Sequence, residues 1–324
     1  ILFISILSLI SFHLFAFSSS SFLISQSAFK SHDYSKTLIN INPEETNNNK
    51  LLDQVIAAIV TDNLSYYYLI NFSTGDLIWK RKNSSAFNSQ IKSDENKFYT
   101  ADFDNILKCF SLKDGRELWN FRTESSLIRS QKKLSMVIVG EVIYLNNYLG
   151  DISAVNVNDG GLIWQLPTQS NIIYESAFSL ETSDIIADEN NLFFSNNKNQ
   201  FFSVDIKSGS FNWENTVNSN LRPTLIENFL ISVSLEGYLI IIDKFTGNII
   251  KVTDVFENFN PKKRNEIFPT GFIVGLENIY LSTNIGRLLV IDIKSGKTIS
   301  TLKIDNDKIS RPHILNKNLY LVKD

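Results

Sequence analysis

The chain has 324 residues, 43% of them hydrophobic, with a formal net charge of -3. That balance lacks the basic excess of a nucleic-acid-binding face, and it supplies enough apolar material for one large all-β domain or two smaller ones. Cys109 is the single cysteine, so neither an intrachain disulfide nor a cysteine metal cluster can form, and it reads as a small apolar residue within a strand.

Residues 1–29 carry no Asp, Glu, Lys or Arg, and thirteen of the first seventeen are apolar. The segment reads as a signal peptide, with Ala16 and Ser18 as small residues before a cleavage point, or as a membrane anchor. The alternative is a buried pair of strands. Either export reading places the rest of the chain outside the cytoplasm. Residues 30–50 are polar and Asn-rich and read as a linker. A repeat domain is expected over 51–324. The first residue is Ile1 rather than Met, and residues 313–324 resemble the start of a further unit, so the sequence is expected to be a piece of a longer chain.

Within 51–324 one pattern recurs six times: two or three apolar residues, then in most copies an Asp or Asn, two variable residues, a small or acidic residue, and Gly. The glycines are Gly75, Gly115, Gly160, Gly209, Gly247 and Gly296, between 38 and 49 residues apart. Trp79, Trp119, Trp164 and Trp213 each follow their glycine by four residues, and the chain has no other Trp. Asn71, Asn156, Asp205, Asp243 and Asp292 stand where a side chain can accept backbone N–H groups two residues on, and Gly supplies the left-handed conformation that such a turn needs. These acids and amides are therefore turn residues rather than metal ligands. Each Trp is expected to bury its ring against a neighbouring unit. Lys251 and Ser300 occupy the Trp position in the last two copies, where Ile249, Ile250 and Ile299 are expected to pack instead. The fourth unit shows the remaining strands, Asn191–Ser195, a turn at 196–199 and Phe201–Asp205. Four antiparallel strands per 40–45 residues make a propeller blade.

The pattern resembles the tryptophan-docking repeat of quinoprotein (PQQ-like) β-propellers over about 51–324. The resemblance implies an all-β propeller of four-stranded antiparallel blades, seven or eight in an intact protein. Within that superfamily the chain looks most like the BamB-type outer-membrane β-barrel assembly factors: an export-type N-terminus leads into one propeller with simple Asp-x-x-[Ser/Thr]-Gly turns. That likeness implies a non-catalytic scaffold in the periplasm or cell envelope, outer-membrane associated, without a cofactor. It implies a protein partner, the outer-membrane barrel-insertion channel, with membrane association through the N-terminus or that partner, and no nucleic acid. The family carries a Leu–Arg element in a loop between blades, which maps here onto Leu221 and Arg222 within Asn220-Leu221-Arg222-Pro223. An ordinary inter-blade turn is the competing reading. Lipidation on an N-terminal cysteine, frequent in the family, has no counterpart before Cys109.

Quinoprotein dehydrogenases of the superfamily use a metal-held quinone and often a disulfide of adjacent cysteines, which this chain cannot form. His13 and His32 precede the repeats and only His313 lies within them. No phosphate-binding glycine loop and no zinc spacing occurs. No catalytic, cofactor or metal residue is assigned. A dehydrogenase fragment and a membrane-anchored sensor or adhesion propeller are the alternatives. The basic run Asn260-Pro261-Lys262-Lys263-Arg264-Asn265 reads as a solvated insertion or as a contact for an acidic partner or lipid headgroups.

Overall fold

The computed structural model describes residues 22–26, 34–41, 55–94, 96–123, 132–168, 180–315 and 318–323. They form six antiparallel sheets met in chain order, each an up-and-down meander. Blade 1 comprises Phe22–Gln26, Tyr34–Ile41, Val55–Thr61, Tyr66–Asn71 and Leu77–Lys82; blade 2 comprises Lys92–Ser93, Lys97–Ala101, Ile106–Ser111 and Glu117–Arg122. Blade 3 comprises Met136–Val139, Val142–Asn146, Ile152–Asn156 and Leu162–Leu166; blade 4 comprises Ile186–Ala187, Asn191–Asn196, Gln200–Asp205 and Phe211–Asn215. Blade 5 runs through Thr224–Ile226, Phe229–Val233, Tyr238–Asp243 and Ile249–Asp254. Blade 6 runs through Pro269–Val274, Asn278–Thr283, Arg287–Asp292 and Thr298–Lys303. A strand pair, His313–Leu315 with Asn318–Tyr320, opens a seventh unit. This is the propeller of four-stranded blades that the repeat predicts.

Two strands fall in stretches expected to lie outside the repeat domain. Tyr34–Ile41, within the expected linker, pairs in register with Val55–Thr61, and Phe22–Gln26 pairs with it in turn. Strand pairing thus extends N-terminal of Leu51. The β-branched residues Thr37, Ile39 and Ile41 favour that pairing locally. Residues 1–21, 27–33 and 42–54 lie outside the described residues.

The middle strands of each blade are covered on both sides. Lys97–Ala101 and Gln200–Asp205 are buried at all but their end positions, which is why their sequences run apolar instead of alternating. Their side chains feed clusters that lie between blades. Tyr67, Leu69 and Trp79 of blade 1 meet Phe98 and Phe110 of blade 2. Tyr99 and Cys109, from the same two strands as Phe98 and Phe110, meet Ile143 and Val155 of blade 3. Similar clusters join blades 3 to 4, 4 to 5 and 5 to 6. A blade alone leaves both apolar faces exposed, so stacking is obligatory.

The four Trp side chains lock this stack. Their indole N–H groups donate to a backbone carbonyl of the following blade, three residues before its turn glycine. Trp79 reaches Leu112 O at 2.9 Å, Trp119 Val157 O at 3.0 Å, Trp164 Ile206 O at 3.2 Å and Trp213 Lys244 O at 2.9 Å. Each ring also covers that glycine. A Cβ built on Gly160 lies 2.6 Å from Trp119 Cε3, and one on Gly209 lies 2.7 Å from Trp164 Cδ2. The aspartate and asparagine side chains close the turns as the sequence predicts: Asp205 Oδ1 accepts from Lys207 N at 3.1 Å and Ser208 N at 2.7 Å, and Asn71 Oδ1 from Ser73 N at 2.9 Å.

A β-bulge precedes the docking position in all six blades. In blade 3, Ala154 pairs Trp164 while Val155 pairs Leu162, so Ile163 is the extra residue. The same shift isolates Ile78, Leu118, Asn212, Ile250 and Ile299. A bulge re-aims the residue that follows it, and here that turns the Trp toward the next blade.

The bulge also corrects one expectation. Ile249, Ile250 and Ile299 do not replace Trp; they are 42%, 54% and 62% exposed on the outer strands. Ile250 and Ile299 are the bulged residues themselves. In blade 5, Lys251 performs the docking, its ammonium donating to Lys294 O at 3.1 Å and Ser295 O at 2.6 Å in the blade 6 turn. Thr253 covers Gly296 in place of a ring, and the apolar contact moves to Val255 and Phe256, both fully buried. Beyond Ser300, the next unit is represented among the described residues by its first strand pair.

A second turn recurs between the two middle strands of the four-stranded blades, and between Val55–Thr61 and Tyr66–Asn71 of blade 1. Asp62 accepts from Leu64 N and Tyr66 N, both at 2.9 Å, and Asp102 from Asp104 N at 3.0 Å and Ile106 N at 3.1 Å. Asn147 repeats this with Leu149 N at 2.8 Å and Asp151 N at 3.0 Å. Ser234 and Thr283 accept only from the residue four positions on, Tyr238 N at 3.3 Å and Arg287 N at 3.0 Å.

Candidate functional site

The first strands of blades 2, 3 and 4 approach one another in turn, and Tyr34–Ile41 of blade 1 approaches that of blade 2; residues leading into the first strands of several blades gather around one cavity. Serine or threonine side chains set that approach. Ser89 Oγ accepts from Ala101 N at 2.7 Å, Ser183 Oγ from Ser195 N at 2.8 Å and Ser310 Oγ from Val322 N at 2.9 Å, each tying the entry segment to its second strand. The residues after these anchors are brought together: Lys92 from blade 2, Asp184 from blade 4, Arg222 from blade 5 and Arg311 from the seventh unit. Lys132, ahead of blade 3, joins them.

A cavity of about 1070 Å³ opens here, lined by Lys132, Asp184, Arg222 and Arg311 among others. Lys132 Nζ bridges blades by donating to Thr182 O and, at 2.7 Å, to Asn220 O. Arg311 Nε donates to Phe272 O at 3.0 Å. Gly271 makes room for it, since a Cβ there would lie 2.4 Å from Arg311 Cβ. Arg264 grips Asp254 with both terminal nitrogens, at 2.6 and 2.9 Å, beside the Tyr238 ring.

Burial dominates the electrostatics, and like charges add to it at three of the four groups. Burial, and then the Arg222 charge, pushes Lys92 down to about 8 against the pull of Asp184. Arg311 is pushed down to about 10 by burial and by Arg222, again opposed by Asp184. Burial lowers Lys132, while Asp184 and Glu181 counter it. The His313 imidazole is held below its ordinary value by desolvation, then by Arg311 and Arg222.

The two residues assigned from the Leu–Arg element part company here. Leu221 is 8% exposed and belongs to the blade 5–6 core with Val233 and Phe272. Arg222 is exposed and lines the cavity. Leu221 therefore anchors the loop, and Arg222 is the member of the pair open to a partner. In the basic run, Lys262 and Lys263 are exposed, whereas Arg264 is committed to Asp254. Cys109 is fully buried, and its thiol is pushed up to about 12 by that burial. Among the described residues no group of three or more His, Cys, Asp and Glu side chains could hold a metal ion. The axial basic cluster had no counterpart in the sequence reading beyond Arg222. Its residues lie far apart in sequence, and no spacing announces them.

Comparison with known proteins bears on this geometry. A family profile described as outer membrane protein assembly factor BamB matches residues 55–253. The chain is 26% identical over 163 residues to the outer membrane protein assembly factor BamB of Shewanella oneidensis, covering 49% of this chain and 36% of that protein. It is 24% identical over 194 residues to the protein of the same name in Legionella pneumophila, covering 57% of this chain and 45% of the relative. The chain thus matches less than half the length of either relative. Among solved structures, BamB from Moraxella catarrhalis superposes with a TM-score of 0.68 at 12% identity, over 94% of this chain and 95% of that one. The computationally designed protein Ika8 gives 0.61 at 13%, over 92% and 82%. A quinohemoprotein alcohol dehydrogenase from Comamonas testosteroni gives 0.57 at 11%, over 80% and 61%. At these identities the superpositions establish the propeller fold alone. The profile, however, spans well over half the chain and contains the first five docking turns, and on that ground the chain belongs to the outer membrane protein assembly factor BamB family.

Proposed function

We propose that this chain is a non-catalytic scaffold of the cell envelope that supports assembly of outer-membrane β-barrel proteins by docking a protein partner, the barrel-insertion channel. The observation that carries the reading is the family match over 55–253. The local geometry supports it. Leu221 fixes its loop into the blade 5–6 core and leaves Arg222 exposed at the cavity, so the backbone is already placed and only the Arg222 side chain has to order on binding. Arginines presented in this way are frequent anchors of protein interfaces. The blades hold their loops in fixed relative positions through the Trp docking contacts, and the toroid acts by position rather than by chemistry. In this reading the uncharged residues ahead of blade 1 serve as the export or anchoring element, and the propeller is the working domain.

The test is crosslinked capture from cell envelopes with tagged protein. Wild type is expected to recover the barrel-insertion channel, and Arg222→Ala to recover several-fold less at equal abundance and equal melting temperature. Recovery of a redox or sensory partner in place of the channel would overturn the reading. Undiminished capture by Arg222→Ala would remove Arg222 from the interface.

A further inference from the structure

We propose that the axial cavity is a receptor for a small, multiply charged oxyanion, gripped by Arg222 and Arg311 with Lys132 in the same wall. It shares Arg222 with the partner-docking reading but needs no partner for its test.

The charge of the cavity favours an anion. The chain as a whole carries -3, yet the cavity wall holds Lys132, Arg222, Arg264, Lys308 and Arg311 against Glu181, Asp184 and Glu236. Of these, Arg264 is neutralised by Asp254. Asp184 acts on Lys92, Lys132 and Arg311 alike, and Glu181 acts on Lys132 as well. After burial, repulsion by Arg222 is the next cause that lowers Arg311. Arg222 and Arg311, drawn together without a salt bridge of their own among the described residues, are unfavourable for the empty protein and are relieved by an anion.

Unused hydrogen-bonding capacity points the same way. Among the described residues Arg222 makes no hydrogen bond through its guanidinium, and Arg311 uses Nε on Phe272 O, which leaves its terminal nitrogens as a fork. Guanidinium forks match the paired oxygens of phosphate and carboxylate groups.

So does the construction of the wall. Gly271 clears the wall for the Arg311 side chain, and Lys132 is braced on carbonyls ahead of blades 4 and 5. The volume of about 1070 Å³ is that of a small-molecule site and far exceeds what one water-solvated side chain needs. The wall is contributed by several blades, so the site exists only in the assembled toroid.

Isothermal titration of the purified full chain at low ionic strength tests this, with inorganic pyrophosphate standing for phosphate-bearing ligands and citrate for carboxylate-bearing ones. The expected result is saturable binding of at least one of the two, weakened tenfold or more by Arg222→Gln and by Arg311→Gln. The tighter of the two probes identifies the source chemistry. The Lys262→Gln/Lys263→Gln double variant, outside the cavity, is expected to bind as wild type does. Should Arg311→Gln fail to fold, the exposed Arg222→Gln decides. Absence of saturable binding of both probes overturns the proposal, as does affinity unchanged in Arg222→Gln or lost in the Lys262/Lys263 variant. Loss of channel capture in cells with anion binding intact would fail the docking reading and leave this one standing.

Discussion

Replacing Gly160 by Ala, with Gly140→Ala as its counterpart, isolates the docking contact. Both glycines sit in the left-handed region, at φ +75° and +57°. A Cβ on Gly140 meets nothing within 4 Å, whereas on Gly160 it falls 2.6 Å from Trp119 Cε3. Gly140→Ala should therefore cost only the left-handed penalty, about 1 kcal/mol. Gly160→Ala adds overpacking of about 1–3 kcal/mol as the ring retreats by about 1 Å toward ordinary contact distance. That retreat also weakens the 3.0 Å bond from Trp119 Nε1 to Val157 O, worth about 1 kcal/mol. At roughly 2–4 °C per kcal/mol for a chain of this size, melting followed by circular dichroism should fall by about 3 °C for Gly140→Ala and about 10 °C for Gly160→Ala. In a Trp119→Ala background the excess should vanish, leaving Gly160→Ala no worse than Gly140→Ala. Equal losses in the wild-type background, or an excess that survives without the ring, would refute the reasoning.

Other consequences can be read from thermal melts. Leu221→Ala should lose about 2–4 kcal/mol as a core truncation, while Arg222→Ala should stay within about 0.5 kcal/mol of wild type; the reverse order would contradict the placement of the pair. Lys251→Ala should cost about 1 kcal/mol, the worth of its exposed hydrogen bonds to the next turn, against about 3–5 kcal/mol for Phe256→Ala; a larger loss at Lys251 would show that the lysine and not the phenylalanine holds blades 5 and 6 together. Lys92 falls to about 8 in the folded chain from an ordinary 10.5, so between those values the unfolded chain binds the extra proton and stability rises with pH. Lys92→Met should accordingly be more stable than wild type below pH 8, by about 1–3 kcal/mol once solvent screening is allowed for. The gap should close as pH approaches 10.5, and a gap that widens instead would reverse the sign of the argument.

The fold was legible because its strongest determinant is local. Gly160 and Trp164 sit four residues apart in every copy that keeps them, and a left-handed turn tolerates little besides glycine. Of the second turn only the copy at 196–199 was read, because Asp62, Asn147, Ser234 and Thr283 accept the same backbone N–H with different oxygens, so function is kept while the letter changes. The docking role of Lys251 was misassigned to its isoleucine neighbours for a geometric reason: the bulge at Ile250 switches which face each residue occupies, and no alternation count contains a bulge. Of the axial site, only Arg222 was within reach, through a family likeness. Lys92, Lys132, Asp184 and Arg311 converge through the stacking of the blades, and each looks alone like an ordinary surface charge.

The Trp contacts all point one way along the chain, and this gives the toroid a direction in time. Trp79 finds its carbonyl 33 residues later, Trp119 38 later, Trp164 42 later and Trp213 31 later. A newly made or newly exported blade therefore cannot finish packing until about one further unit has emerged, and each emerging turn completes the blade behind it. Loops of that length close at modest entropic cost, and assembly of this kind advances as a short moving front instead of waiting for the two ends to meet.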